Sequence, residues 1–148
     1  MTRTLQSVAT LTLLLGAVQA LATEPLRASP GPSGCFTYQP TLVELSGSLS
    51  AESFPSAPGN DESPSEERTE SVYVLTLDKP ICTRNETGGD TDSESGVTTL
   101  QVESKKVSQH KLKSYSGRQV LVKGMLFRAQ TAHHHTRVVL TIQSIKRP

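Results

Sequence analysis

Val43-Glu44-Leu45-Ser46-Gly47-Ser48-Leu49 and Val120-Leu121-Val122-Lys123-Gly124-Met125-Leu126 follow one pattern, V-x-φ-x-G-x-L. In the first stretch Val43, Leu45 and Leu49 alternate with Glu44, Ser46 and Ser48, the period of a half-buried strand. A glycine inside such a strand marks a bulge or a sharp bend. Two long strands, each with a central glycine, are what a small closed sheet needs at its corners. Working outward, Ser71 to Leu77 is a strand ended by Asp78-Lys79-Pro80, and Val97 to Val102 is a weaker one. Arg137 to Ile145 sets Val138, Leu140 and Ile142 against Arg137, Val139, Thr141 and Gln143. Lys105 to Tyr115 reads as a short helix with Val107, the Lys111 stem, Leu112 and Tyr115 on one face, closed by Ser116-Gly117. The order is three strands, a helix and two strands. It predicts an all-β fold with one short helix, a small five-stranded OB-like Greek-key barrel. The competing β-sandwich would need about seven strands.

The chain has 148 residues, enough for one small domain, which we place at 35–148. Residues 1–22 read as a signal peptide: Arg3 opens it, Leu5 to Leu21 is mostly apolar, and Ala20-Leu21-Ala22 puts small residues at a cleavage site, with Val18-Gln19-Ala20 a poorer second choice. Gln6, Ser7, Thr10, Thr12 and Gln19 interrupt the run, which argues against an anchoring helix, and no later run is long enough to span a membrane. The expected destination is the periplasm or the exterior. Ser33-Gly34-Cys35 has the end of a lipidation box, but Pro32 stands where leucine is usual and the apolar run has ended well upstream. Residues 23–34 are turn formers and read as a flexible lead-in. Two polar stretches, 51–70 and 83–96, read as mobile loops, the first pinned at its start by Phe54-Pro55. Cys35 and Cys82 are the two cysteines, and export favours their pairing.

Charge is divided along the chain. From residue 23 to 103 there are 14 acidic side chains against Arg27, Arg68, Lys79 and Arg84; from 104 to 148 there are ten lysines and arginines and no acid. The division fits acids in loops and bases on a solvated face, and it also fits an anion-binding face.

Cys35, Pro40, the Val43-to-Gly47 strand, Phe54-Pro55, Leu75-x-Leu77-Asp78-Lys79-Pro80-Ile81-Cys82, Gly117, Gly124-x-Leu126-Phe127 and His133-His134-His135-Thr136 together resemble a family of exported bacterial proteins, domain-of-unknown-function family 4431. The resemblance spans about 35–142, and its most specific pieces are L-x-L-D-K-P-I-C and H-H-H-T. It implies export from a bacterial cell and carries no established activity. Members often have histidine where Arg128 and Gln130 stand here, and glycine where Ala132 stands.

Three of the chain's four histidines fall in His133-His134-His135, at the turn between the last two strands. In extended backbone His133 and His135 share one side and His134 faces the other. Two imidazoles can hold Zn²⁺ or Cu²⁺, but a stable site takes three or four ligands, and because this half of the chain supplies no carboxylate the third would have to be His110 or a Glu or Asp from a distant loop. The plainer reading is a polar turn whose rings bond neighbouring backbone. Asp90-Thr91-Asp92-Ser93-Glu94-Ser95-Gly96 is a poor calcium loop, with Ser95 in place of the turn glycine and Gln101 in place of the bidentate glutamate. Asn85-Glu86-Thr87 is a glycosylation sequon. No nucleophile elbow, phosphate loop or H-E-x-x-H helix occurs, and paired cysteines offer no thiolate. The expectation is an exported binding or interaction module without catalytic machinery. Its candidate contacts are His133, His134, His135, Lys123, Arg128 and Arg137; the alternative is weak metal binding through His133 and His135. An anionic glycan, a lipid headgroup or an envelope protein is the expected partner, the last by way of the 51–70 loop. Three Phe, three Tyr and no Trp leave too few stacking platforms for nucleic acid.

Overall fold

A computed structural model describes residue 30 and residues 34–56, 69–86 and 93–148; the expected signal peptide, nearly all of the lead-in, and the centres of both polar loops lie outside the described residues. Six strands and one helix follow in chain order: β1 Phe36–Thr37, β2 Leu42–Pro55, β3 Thr69–Arg84, β4 Glu94–Ser104, α1 Gln109–Tyr115, β5 Arg118–Arg128 and β6 Val138–Lys146. The sheet order is β1-β3-β2-β5-β6-β4, and β3 also pairs with β4. The ladder bonds of the five long strands therefore run round a ring. β4 and β6 are parallel and the other neighbours in the ring antiparallel. This is the connectivity expected of an OB-type Greek key, with α1 carrying the chain from the third long strand to the fourth.

Period-two patterning builds the interior. Val43, Leu45 and Leu49 of β2, Leu75 and Leu77 of β3, Val120, Val122 and Leu126 of β5, and Leu140 and Ile142 of β6 all lie in one buried cluster. The glycines mark the corners. A Cβ at Gly47 would run into the carbonyl oxygen of Thr76 in β3, and one at Gly124 into that of Thr141 in β6. Backbone passes over backbone at both points, so no side chain fits. Gly124 also sits at a break in register: Lys123 pairs with Ser144 but Gly124 with Ile142, so Gln143 is skipped. The bulge reverses the in–out alternation and turns Ile145 inward, 3% exposed.

The strands run further than their patterning predicts. β2 and β3 continue as a hairpin to Pro55↔Thr69, so the loop expected at 51–70 is strand at both ends, and Thr83–Arg84 and Glu94–Gly96 narrow the loop expected at 83–96 in the same way. The helix is shorter than 105–115, because the Ser108 side chain accepts the Lys111 N–H and caps it there. Leu112 plugs the core and Gly117, at φ +75°, ends the turn. Cys35 and Cys82 are bonded, and beside them β1 lies parallel to the end of β3 with Phe36 opposite Thr83. No helix among the described residues is long and apolar enough to cross a membrane.

Candidate functional site

The β5–β6 connection does not project as a hairpin tip. It folds back over the outside of β4. Gln101 of β4 is the anchor, 5% exposed although polar. Its side-chain amide donates to the His133 carbonyl at 3.0 Å and accepts the His135 N–H at 2.8 Å. Its backbone N–H donates to Thr136 Oγ1 at 2.8 Å, and that hydroxyl donates to the Val138 carbonyl at 2.7 Å. The register sets Gln101 between Val74 of β3 and Val139 of β6, two residues buried without belonging to the interior cluster. Beneath the connection lies a small outer layer: Val74, Gln101 and Val139. Gln101→Leu removes both amide bonds and leaves the His133 carbonyl and His135 N–H unpaired. We expect a loss of about 1–3 kcal/mol in urea unfolding, with faster hydrogen exchange at the His135 amide. Unchanged exchange there would show that Gln101 does not anchor the connection.

Each histidine has its own partner. His134 Nδ1 accepts the backbone N–H groups of Gln130 at 2.9 Å and Thr131 at 3.3 Å, so its Nε2–H donates to Glu103 at 3.1 Å. Its ring stands edge-on to Phe127, centroids 5.5 Å apart. His135 donates from Nε2 to Glu70 Oε1 at 2.6 Å and stacks flat on Phe54, centroids 4.3 Å apart. His133 donates from Nδ1 to Glu70 Oε2 at 3.2 Å and is the exposed member of the three, its side chain 64% accessible. Glu70 and Phe54 face each other across the β2–β3 ladder, so Phe54 holds that hairpin against the ring by way of His135.

The carboxylate missing from the basic half of the chain thus arrives from β3, 65 residues from His135. The arginines are met in the same way: Glu94, at the start of β4, lies 3.1 Å from Arg137 and 4.0 Å from Arg128. Three glutamates close on a segment that is purely basic in sequence. Lys123 does not join this group. It lies on the opposite face of β5 from Arg128, about 16 Å along the strand, and pairs across with Glu44.

The metal alternative does not find its ligand set. Among the described residues no group of three or more His, Cys, Asp or Glu side chains is placed to hold an ion. Glu70 and His135 meet at hydrogen-bond distance, 2.6 Å, whereas two ligand atoms about 2.0–2.1 Å from one tetrahedral ion stand about 3.3 Å apart.

The His135 hydrogen bond, followed by that of His133, holds the Glu70 carboxyl below the ordinary carboxylate range. A carboxyl lowered in the folded state stabilises the fold above its unfolded value of 4.5 and loses that contribution as the pH falls through its folded value. Wild type should therefore melt higher than Glu70→Gln at pH 6, and the difference should close as the pH falls below 4.5. A gap that persists at pH 2.5 would overturn the assignment.

Beside His134 opens a cleft of about 560 Å³, lined by Tyr38, Gln39, Asn85, Phe127, Arg128 and Gln130 among others. Tyr38 is buried and its hydroxyl accepts from Thr83, whereas Gln39, Arg128 and Gln130 are exposed.

Fold and site together define a small ring-closed β domain whose β5–β6 connection is cross-linked to its β2–β3 hairpin over the outer face of β4. Residues 100–146, from the second half of β4 to the last residue of β6, match the family described as "Domain of unknown function (DUF4431)". The matched segment contains Gln101, Glu103 and the whole histidine connection. Glu70 lies outside it. No curated protein matches the chain. The Cys35–Cys82 bond accords with an exported protein.

Proposed function

We propose that this chain is a binding module of the periplasm or cell exterior, not an enzyme, and that it takes its ligand where the β2–β3 and β5–β6 connections meet. One observation carries the reading: Glu70 and Phe54 of the first connection grip His133 and His135 of the second. In domains of this connectivity, these two connections and the face of the second and third long strands receive oligosaccharides and oligonucleotides. Rigid elements and packed side chains hold the surface in shape before a ligand arrives, which favours affinity. The chemistry supports binding over catalysis. The imidazoles of His134 and His135 are engaged within the chain, and both cysteines are in the disulfide. Lys123 stands apart from this end; among the described residues Arg128, Arg137 and His133 are exposed cationic and imidazole groups there.

The test is amide chemical-shift mapping with a panel of neutral oligosaccharides, oligogalacturonates and glycerol phosphate. Shifts clustering on residues 127–137 and on Glu70 for any of these support the reading. No shift with the whole panel, or shifts confined to other surfaces, would overturn it.

A further inference from the structure

We infer that the cleft beside the histidine connection, lined from Tyr38–Gln39, Asn85 and Phe127–Gln130 and not from the β2–β3 hairpin, binds the carboxylated sugar unit of an acidic glycan, a uronate; the inference rests on the binding reading above, extends it along the β5–β6 connection to this cleft and names the ligand class. The lining carries three complementary chemistries. Gln39, Asn85 and Gln130 present planar amides that each donate and accept, which suits a ring of hydroxyls. Phe127 presents an aromatic ring, steadied edge-on by His134 and half-buried, against which the C–H face of a sugar can lie. Arg128 contributes a guanidinium, whose planar fork matches a carboxylate.

What is missing from the lining matters as much. Glu70, Glu94 and Glu103 crowd the neighbouring surface, yet no Asp or Glu is among the described residues that line the cleft. Glu94 lies 4.0 Å from the Arg128 guanidinium, near enough to orient it. The volume, about 560 Å³, falls within the range of small-ligand sites. A nucleic acid would ask for something else: several cations following the phosphates and several stacking platforms, where the described lining holds one arginine, Arg128, and one aromatic side chain that is not buried, Phe127.

The experiment is calorimetric titration of the protein with trigalacturonic acid, with its methyl ester, and with a neutral galactose trisaccharide, repeated on Arg128→Gln, Gln130→Ala and Lys146→Gln. The three substituted positions are exposed, so the variants should fold. We expect the acid to bind and to shift the amides of residues 127–130. Esterification or Arg128→Gln should weaken it about tenfold, Gln130→Ala less, and Lys146→Gln not at all. Equal affinity for acid and ester, or an equal loss in Lys146→Gln, overturns the uronate assignment. So does a silent titration with all three sugars. If glycerol phosphate then still shifts residues 127–137, the binding reading survives the failure of this one.

Discussion

Replacing Cys35 and Cys82 together by alanine should lower the free energy of unfolding by about 4 kcal/mol. The bond joins residues 47 apart in sequence, so it closes a loop containing all of β2 and most of β3. Breaking it frees that loop in the unfolded chain, and chain entropy sets the size of the effect. Against a usual net stability of about 5–15 kcal/mol, the loss is large enough to leave some molecules unfolded at growth temperature. The folded state changes little by comparison. β1 has only two residues and its ladder with β3 lies next to the bond, so its attachment should fray while the ring persists. Urea unfolding of the double variant measures the loss. A change below 1 kcal/mol would show that the unfolded chain stays compact without the bond.

The second large effect is expected at the two glycines. A methyl group at Gly124 would meet the Thr141 carbonyl oxygen and lie 3.0 Å from Ile142 Cα, and one at Gly47 would meet the Thr76 carbonyl oxygen and lie 2.9 Å from its carbon. All of these are backbone atoms of a paired strand and cannot rotate away. Each Gly→Ala substitution must push β5 from β6, or β2 from β3, at the corner where the ring bends. The cost should reach the upper part of the overpacking range, about 3 kcal/mol each. Gly117→Ala is the contrast. Its Cβ would have open space around it, and only the left-handed backbone, φ +75°, opposes it, at about 1–2 kcal/mol. Urea midpoints of the three variants rank them. Gly124→Ala within 1 kcal/mol of wild type would mean that the corner is plastic.

Those glycines show how much of the fold was legible. Their place in two alternating strands predicts a bulge or bend; the structure shows a paired strand's backbone pressed against each glycine, and a bulge at Gly124. The five long strands, their order and the helix were all readable, because a half-buried strand and a one-sided helix leave a local period in the sequence. The ends of β2 and β3 were not. Beyond Ser50 they form a ribbon with little buried on either face, so no alternation distinguishes Ala51–Pro55 from loop. β1 was missed because two residues carry no period. Ile145 turns inward through a bulge that skips Gln143, and a bulge breaks the period that would announce it.

The site divides in the same manner. The histidine triplet and Arg128 stand out by composition alone. Gln101 does not: one glutamine between Leu100 and Val102 reads as an ordinary outward strand residue, and nothing local says that two backbone groups more than 30 positions away need its amide.

What the sequence determined by itself is therefore whatever short-range chemistry writes down: alternation, the helix cap, two corner glycines, two cysteines and a run of imidazoles. Tertiary structure alone decided which charges meet. Glu70, Glu94 and Glu103 neutralise a segment that reads as wholly basic, and the two rings that suggested a metal site bond a carboxylate 63 and 65 residues away. Pairings of that kind arise from the closure of the ring. Coulomb forces and hydrogen bonds act across space, and they leave no period along the chain.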